Sequence, residues 1–91
     1  MEIVHDKVNK EFALPLKNGA KAKVSYVLDG PSSMRLVHSE VPHELRGQGV
    51  GKELVLKTFE KLTEEGYKAV AVCSYVNHVA KRDPKWSSII G

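Results

Sequence analysis

One long amphipathic segment constrains the fold of this 91-residue chain more than any other feature. From about residue 49 to residue 65, apolar residues recur every three or four positions, and lysine and glutamate occupy most of the others. This period is typical of a helix that packs one face against a core, and Gly66 supplies a C-terminal stop. The members of the predicted apolar stripe are Gly51, Leu54, Val55, Thr58, Phe59 and Leu62.

Two strand-like segments form a predicted hairpin before the helix. Residues 11–16 and 20–28 alternate apolar and polar side chains, which is the period of strands with one buried face. Asn18-Gly19 between them predicts a two-residue turn, since both residues tolerate positive φ. Pro15 indicates that the first strand lies at a sheet edge, because proline cannot donate to a ladder.

Two further strands flank the helix. Residues 34–41 form the third predicted strand, which Pro42 ends, and residues 67–73 form the fourth. The fourth is short and apolar throughout, which is typical of a strand covered on both faces. Residues 76–90 are predicted to form two short helical pieces that separate near Pro84.

The order of these elements is β-β-β-α-β-α within a single domain, residues 1–91. The first three strands should be antiparallel, and the helix should connect the third and fourth as a parallel crossover. The predicted fold class is therefore α+β, with an α/β-like crossover and a C-terminal helical segment. Ligands of such units bind where the carboxyl end of a strand meets the helix N-terminus.

Composition is that of an ordinary globular protein, 42% hydrophobic and 27% charged, with a net charge of +3. The basic excess is mild and lacks interleaved aromatic residues, so nucleic-acid binding is not predicted. No apolar run approaches the roughly 20 residues that span a bilayer, and the N-terminal residues lack the apolar core of a secretory leader. Cys73, the single cysteine, is expected to be a free thiol, which predicts a cytoplasmic protein or, in a eukaryote, also a nuclear one.

Three glycines stand directly before the long helix, at positions 47, 49 and 51. A helix N-terminus presents unpaired N–H groups and partial positive charge, and glycines let an anion such as a pyrophosphate approach them. Arg46 and Lys52 add full positive charge there. The alternative is a loop that merely turns tightly into the helix, and the glycines alone do not separate these interpretations. Their spacing fits neither a Walker-type nor a dinucleotide-binding motif.

The segment RGQGVG, from Arg46 to Gly51, resembles the Q/R-x-x-G-x-G/A loop of GCN5-related N-acetyltransferases. In that family the loop binds the pyrophosphate of acetyl-coenzyme A. The longer run LVHSEVPHELRGQGVGKELV, followed by VAVCSYV and DPKW, is similar to the small YjdJ-like subgroup of minimal acetyltransferases. The resemblance covers residues 12–90, nearly the whole chain.

The resemblance implies a minimal form of the family's fold, with acetyl-coenzyme A or coenzyme A as the cofactor. The backbone of Val41 would pair with the pantetheine arm, which enters a gap where the third and fourth strands splay apart. Lys52 would lie in the first helical turn beside the pyrophosphate. The implied pyrophosphate loop consists of Arg46, Gly47, Gln48, Gly49, Val50 and Gly51.

His38 and Cys73 are the candidate catalytic residues. Strict alternation puts His38 on the same strand face as Leu36 and Glu40, and Cys73 on the same face as Ala71. If these faces coincide, the imidazole favours the reactive thiolate. The resemblance matches both positions, so Cys73, assisted by His38, is predicted to accept the acetyl group or guide its transfer. The alternatives are a small core cysteine and a hydrogen-bonded strand histidine, and no spacing supports a metal site.

The preferred interpretation is an acetyl-coenzyme A-dependent acyltransferase that acts on a small or peptidic amine, as a monomer or weak dimer. The alternative is a coenzyme-binding module with little turnover. Larger family members carry pocket-forming helices where this chain has a short turn, and they use a helical tyrosine, whereas no tyrosine follows Tyr75 here. A third interpretation is an interaction domain that lost the ligand. The intact glycine loop argues against it, since packing alone does not require so many glycines.

Overall fold

The strand-like segments form one five-stranded sheet, whose strands are numbered in chain order. They are β1 (Val4–Asp6), β2 (Glu11–Pro15), β3 (Lys21–Leu28), β4 (Ser33–Glu40) and β5 (Lys68–Ala71). The computed structural model describes residues 2–91, apart from the side chain of residue 18, and Met1 of the predicted domain lies outside the described residues. The spatial order follows the chain order, with antiparallel neighbours from β1 to β4 and a parallel pair β4–β5.

Three helices complete the fold. They are α1 (Val50–Glu64), α2 (Ser74–Arg82) and α3 (Pro84–Ser87), and 3-10 turns occupy Lys17–Gly19 and His43–Leu45. Within residues 2–91, no helix combines the length and the apolarity needed to cross a membrane. The predicted α+β class is confirmed, as is the parallel pairing of the strands on either side of α1.

The apolar stripe of α1 lies at the centre of the core, as its period predicts. Leu54, Val55, Phe59 and Leu62 are at most 1% exposed. Thr58 is buried beside them, and its hydroxyl donates to the Leu54 carbonyl at 2.8 Å, which satisfies a polar group in an apolar environment. This packing therefore holds the N-terminus of α1 in place against the sheet.

The connection between β2 and β3 is longer than predicted. Lys17–Gly19 form a three-residue turn, closed by a hydrogen bond from the Leu16 amide to the Ala20 carbonyl at 2.8 Å. Gly19 has a φ of 76°, the left-handed conformation that commonly ends such a turn. The two-residue turn predicted from Asn18-Gly19 is therefore wrong in length, although the hairpin itself is present.

One edge of the sheet is β1, which the sequence pattern does not predict because three residues are too few to show a period. Its register pairs Val4 with Ala13 and Asp6 with Glu11. Pro15 lies beyond this pairing, so it removes no hydrogen bond from the ladder with β1. The edge position predicted for β2 is therefore wrong.

Strand β5 is covered on one face only, which corrects a third prediction. Ala69 and Ala71 are buried beneath the helices, whereas Val70 and Val72 are 48% and 56% exposed. We call the sheet face opposite the helices the outer face. The continuous apolar run therefore does not indicate a second covering layer, and it leaves these two valines exposed on the outer face.

A buried histidine attaches β1 to the rest of the fold. The Nδ1 atom of His5 lies 2.7 Å from Glu65 Oε1, and its Nε2 atom lies 2.6 Å from the Tyr26 hydroxyl. The ring stacks on Phe12 with centroids 4.2 Å apart, and the side chain is only 3% exposed. Burial raises the pKa of Tyr26. Burial is also the largest single influence on Glu65 and acts to raise its pKa, but the hydrogen bond from His5 and the nearby charges of His5, Lys61 and Lys7 together outweigh it and lower that pKa.

Replacing His5 by alanine is expected to lower the free energy of unfolding by about 2 kcal/mol, because it removes two hydrogen bonds and an aromatic stack. Urea denaturation measures this loss. Val8→Ala, at a 90% exposed position on the following turn, is the control and should leave the free energy of unfolding unchanged. Equal stability of the two variants would contradict a role of His5 in holding β1.

Candidate active site

A cleft of about 540 Å³ opens between the end of β4 and the N-terminus of α1. It lies at the junction where the order of strands and helix predicts a ligand. Five of the residues predicted to contact a coenzyme line it, together with one residue of β4 and one of α2. The lining residues are Ser39, Val41, Arg46, Gly47, Gly49, Gly51 and Tyr75.

The other three predicted coenzyme residues lie outside this lining. Gln48 turns back, and its side-chain amide donates to the Glu44 carbonyl at 3.3 Å. Val50 packs partly buried against the core. Lys52 is exposed in the first turn of α1 and lines an adjacent cleft of about 240 Å³, which Tyr75 separates from the first.

Two of the three glycines have conformations that favour glycine. Gly47 and Gly49 have φ values of 83° and 80°, in the left-handed region that L side chains rarely adopt. A Cβ atom at either position would meet no protein atom within 4 Å, so the space in front of them is open. Gly49 is the N-cap of α1, and its carbonyl accepts the first helical hydrogen bond, from Glu53 at 3.1 Å. The loop therefore turns tightly and also leaves room for a ligand.

Position 51 favours glycine for a different reason, which is the space available there. A Cβ atom there would lie 3.0 Å from the Tyr75 hydroxyl oxygen and 3.3 Å from two ring carbons. The tyrosine ring thus lies across the first turn of α1 at the edge of the cleft. The expectation that packing does not account for these glycines is wrong at this position, since Tyr75 packs against Gly51.

Strands β4 and β5 separate beside the cleft. Their parallel register runs from Ser33 opposite Lys68 to Leu36 opposite Ala71. The Leu36 carbonyl then accepts hydrogen bonds from both the Val72 and Cys73 amides, each at 2.9 Å. Beyond this point β4 continues along β3 to Glu40, whereas the segment that follows β5 turns away into α2. The edge of β4 that faces the cleft is therefore the edge from which β5 has departed.

A β-bulge in β4 changes which side chains face the helices. Tyr26 pairs with Leu36, but the preceding residue of β3, Ser25, pairs with His38, so Val37 is an extra residue in the ladder. Because consecutive residues of β3 point to opposite faces, Leu36 and His38 do so as well. His38 is exposed on the outer face. The common face predicted for Leu36, His38 and Glu40 is therefore wrong, since the bulge interrupts the alternation.

Ser39 takes the position on the helix side that alternation assigns to His38. It pairs with Val24, which is fully buried beneath the helices. Its hydroxyl oxygen lies 3.5 Å from the sulfur of Cys73. The structure thus brings Cys73 together with Ser39 rather than with the predicted histidine, and no pattern in the sequence marks the bulge that causes the exchange.

Cys73 lies at the N-cap of α2, immediately after β5. Its thiol is partly buried and borders the core. Burial acts to raise the pKa of this thiol, but the Ser39 hydroxyl and the amides of Val76 and Tyr75 outweigh burial and lower it. Amides at a helix N-terminus stabilise a thiolate in this way. The groups around the sulfur therefore favour its thiolate form more than in an ordinary cysteine.

Tyr75 is a candidate residue that sequence reasoning missed. The apolar spacing of Val76, Val79 and Ala80 indicates a helix but does not fix its first turn. Helix α2 begins at Ser74, so Tyr75 is helical and lines the cleft, with its side chain 41% exposed. The predicted helical region, residues 76–90, left Tyr75 outside it, and the observed start of α2 at Ser74 corrects this.

The fold agrees with comparisons to known proteins. Residues 11–89 match the family model described as GCN5-related N-acetyl-transferase. Because this match covers most of the chain, the protein belongs to that family, and the resemblance seen in the sequence is confirmed.

Individual relatives extend over nearly the whole chain. The protein NATD1 of Danio rerio is 33% identical over 86 residues, which cover 92% of this chain and 77% of the relative. Human NATD1 is 31% identical over 92% of this chain and 75% of its own length. An NMR solution structure of a GCN5-like protein from Staphylococcus aureus superposes with a TM-score of 0.70 at 27% identity, covering 99% of this chain and 87% of that one.

Proposed function

We propose that this protein transfers an acetyl group from acetyl-coenzyme A to an amine, and that the cleft beside α1 is the coenzyme site. The observation that carries the proposal is the cleft itself, because its lining joins the glycine loop to the end of β4 and to Tyr75. Members of the family generally use acetyl-coenzyme A, which supports the choice of donor. Acetyl-coenzyme A supplies the acetyl group as a reactive thioester.

The glycine loop is suited to the pyrophosphate. Open space in front of Gly47 and Gly49 lets phosphate oxygens approach the amides at the start of α1, where the helix dipole favours negative charge. Arg46 lines the same cleft, and Lys52 is exposed one turn into the helix, so two cationic side chains flank the path. The loop and these two cations therefore fit a pyrophosphate diester, which carries two negative charges.

The exposed edge of β4 is suited to the pantetheine arm. Its backbone continues past Leu36 without β5 alongside, and Val41 at its end lines the cleft. Amide groups of the arm would hydrogen-bond to this edge like an additional strand. The arm would then run from the glycine loop toward Ser39 and Cys73.

Cys73 is the proposed acetyl acceptor in this arrangement. Its thiolate would attack the acetyl carbon, forming a sulfur–carbon bond while the carbon–sulfur bond to coenzyme A breaks. Tyr75, at the edge of the cleft, would give its hydroxyl proton to the departing coenzyme thiolate. The neutral amine would then take the acetyl group from Cys73 and give up one proton to the Tyr75 phenolate, while the cysteine sulfur leaves as the thiolate. The assisting role predicted for His38 stays a prediction. It is not part of this scheme, because the His38 side chain lies on the outer face.

A coenzyme-binding module with little turnover is the second candidate. The short turn between β2 and β3 favours it, since larger family members carry pocket-forming helices at that place. Calorimetry with coenzyme A measures binding, and release of free thiol with a panel of amines and peptides measures turnover. Binding together with thiol release supports the transferase, whereas binding without release on any acceptor supports the module.

Arg46→Ala is expected to weaken coenzyme A binding by about tenfold, because one charge-assisted contact to phosphate is lost. Arg35→Ala is the matched control. Arg35 lies in β4 and its guanidinium is 3.3 Å from Asp29, away from the cleft lining. Calorimetry should show wild-type affinity for the control. Equal affinities of the two variants would argue against phosphate binding beside Arg46.

A further inference from the structure

We propose that Ser39 is the positioning residue of Cys73, and that the bulge at Val37 serves to direct the Ser39 side chain toward this cysteine. Only the catalytic consequence of this inference rests on the proposed function. The control that Ser39 exerts on the thiol is a property of the folded chain alone.

The backbone of β4 sets this geometry. If β4 were regular and Val37 had its own partner in β3, alternation would direct His38 toward the helices and Ser39 outward. With the bulge, Ser39 pairs with the fully buried Val24 and lines the cleft, while its neighbour His38 is exposed. The bulge therefore exchanges an ionisable side chain for a hydroxyl at the place where β4 and β5 separate.

The hydroxyl suits both protonation states of the sulfur. At 3.5 Å from Cys73 Sγ, Ser39 Oγ can accept a hydrogen bond from the thiol or donate one to the thiolate by rotating its hydrogen. Because the serine belongs to β4 and the cysteine to the start of α2, this contact spans the opening between the separated elements. Cys73 itself packs against the core and is not among the residues that line the cleft, so this contact with Ser39 is what connects its sulfur to the cleft.

The ionisable side chains near Cys73 lie on both sides of the sheet. His38 and Glu40 of β4 pair with Ser25 and Lys23 and lie on the outer face. On the helix side, Arg46 and Tyr75 line the cleft together with Ser39. The titratable residues that line the adjacent cleft are Lys52, Tyr75, His78, Arg82 and Asp83. The influences that lower the Cys73 pKa are the serine and backbone amides, and burial opposes them.

Alkylation of Cys73 tests the inference directly. The chain has a single cysteine, so the rate with iodoacetamide reports this thiol alone. Ser39→Ala should slow alkylation at neutral pH by about fivefold and displace the rate profile toward higher pH, because one hydrogen bond to the thiolate is lost. Ser39→Thr, which retains a hydroxyl, should restore most of the wild-type rate.

Ser25→Ala is the matched control, since this serine lies on the neighbouring strand and pairs with the outward-facing His38. Its profile should equal that of the wild type. An unchanged profile for Ser39→Ala, or an equal displacement for Ser25→Ala, would overturn the proposal. Failure of the wild type to transfer acetyl groups would remove the proposed function, yet it would leave a displaced Ser39→Ala profile as support for the control of the thiol.

Discussion

Gly49→Leu is expected to weaken coenzyme A binding by about a hundredfold, because its side chain would occupy the space through which phosphate reaches the helix amides. A Cβ atom at Gly49 meets no protein atom within 4 Å, so the added side chain points into the cleft rather than into the protein. The loss of affinity would thus come from exclusion of the ligand. Isothermal titration calorimetry with coenzyme A measures it.

Gly66→Leu is the matched control for this experiment. Gly66 follows the C-terminal end of the same helix, has a φ of 85° and also faces open space. Both variants force a side chain into the left-handed region, at a cost of about 1–2 kcal/mol each, so their stabilities should fall alike. Only Gly49→Leu should lose affinity. Equal affinity of both folded variants for coenzyme A would contradict the proposed phosphate site.

Gly51 is unsuitable for the same comparison. A side chain there would displace the Tyr75 ring, which lies across the first turn of α1. A loss of affinity would then report the movement of Tyr75 as much as the exclusion of phosphate. The three glycines of one sequence motif thus have two separate structural roles, and only the structure distinguishes them.

The sequence predicts those parts of the fold that depend on a regular period. The stripe from Leu54 to Leu62 repeats over about two and a half turns, so α1 and its buried face follow from it directly. Alternation likewise predicts β3, where Ala22, Val24 and Tyr26 are all buried. The position of the glycine loop relative to β4 follows from the order of elements, because the end of a parallel strand and the start of the next helix are adjacent along the chain.

Features set by a single residue escape this reasoning. The bulge at Val37 changes one pairing and shifts every later side chain of β4 to the other face, yet it leaves no mark in composition. The start of α2 at Ser74 rather than later decides whether Tyr75 lines the cleft. Both features depend on hydrogen bonds between elements, such as the two that Leu36 accepts where the strands separate.

Cys73→Ala is expected to abolish the acetylated form of the protein and to slow acetyl transfer by at least about a hundredfold, because the proposed acceptor sulfur is removed. Mass spectrometry after incubation with acetyl-coenzyme A detects the adduct, and release of coenzyme thiol measures the transfer. An adduct that persists in Cys73→Ala would place the acetyl group elsewhere.

The outcome of that experiment also separates covalent from direct transfer. Cys73→Ser keeps an N-cap residue that helices favour, so the start of α2 should stay intact, but a serine hydroxyl is a far weaker nucleophile than a thiolate at neutral pH. If the amine attacks the thioester directly, both variants should retain transfer, because Tyr75 and the glycine loop remain in place. If Cys73 carries the acetyl group, both should lose it while coenzyme A affinity stays at the wild-type level. Retained transfer would therefore disprove the cysteine step and leave the coenzyme site standing.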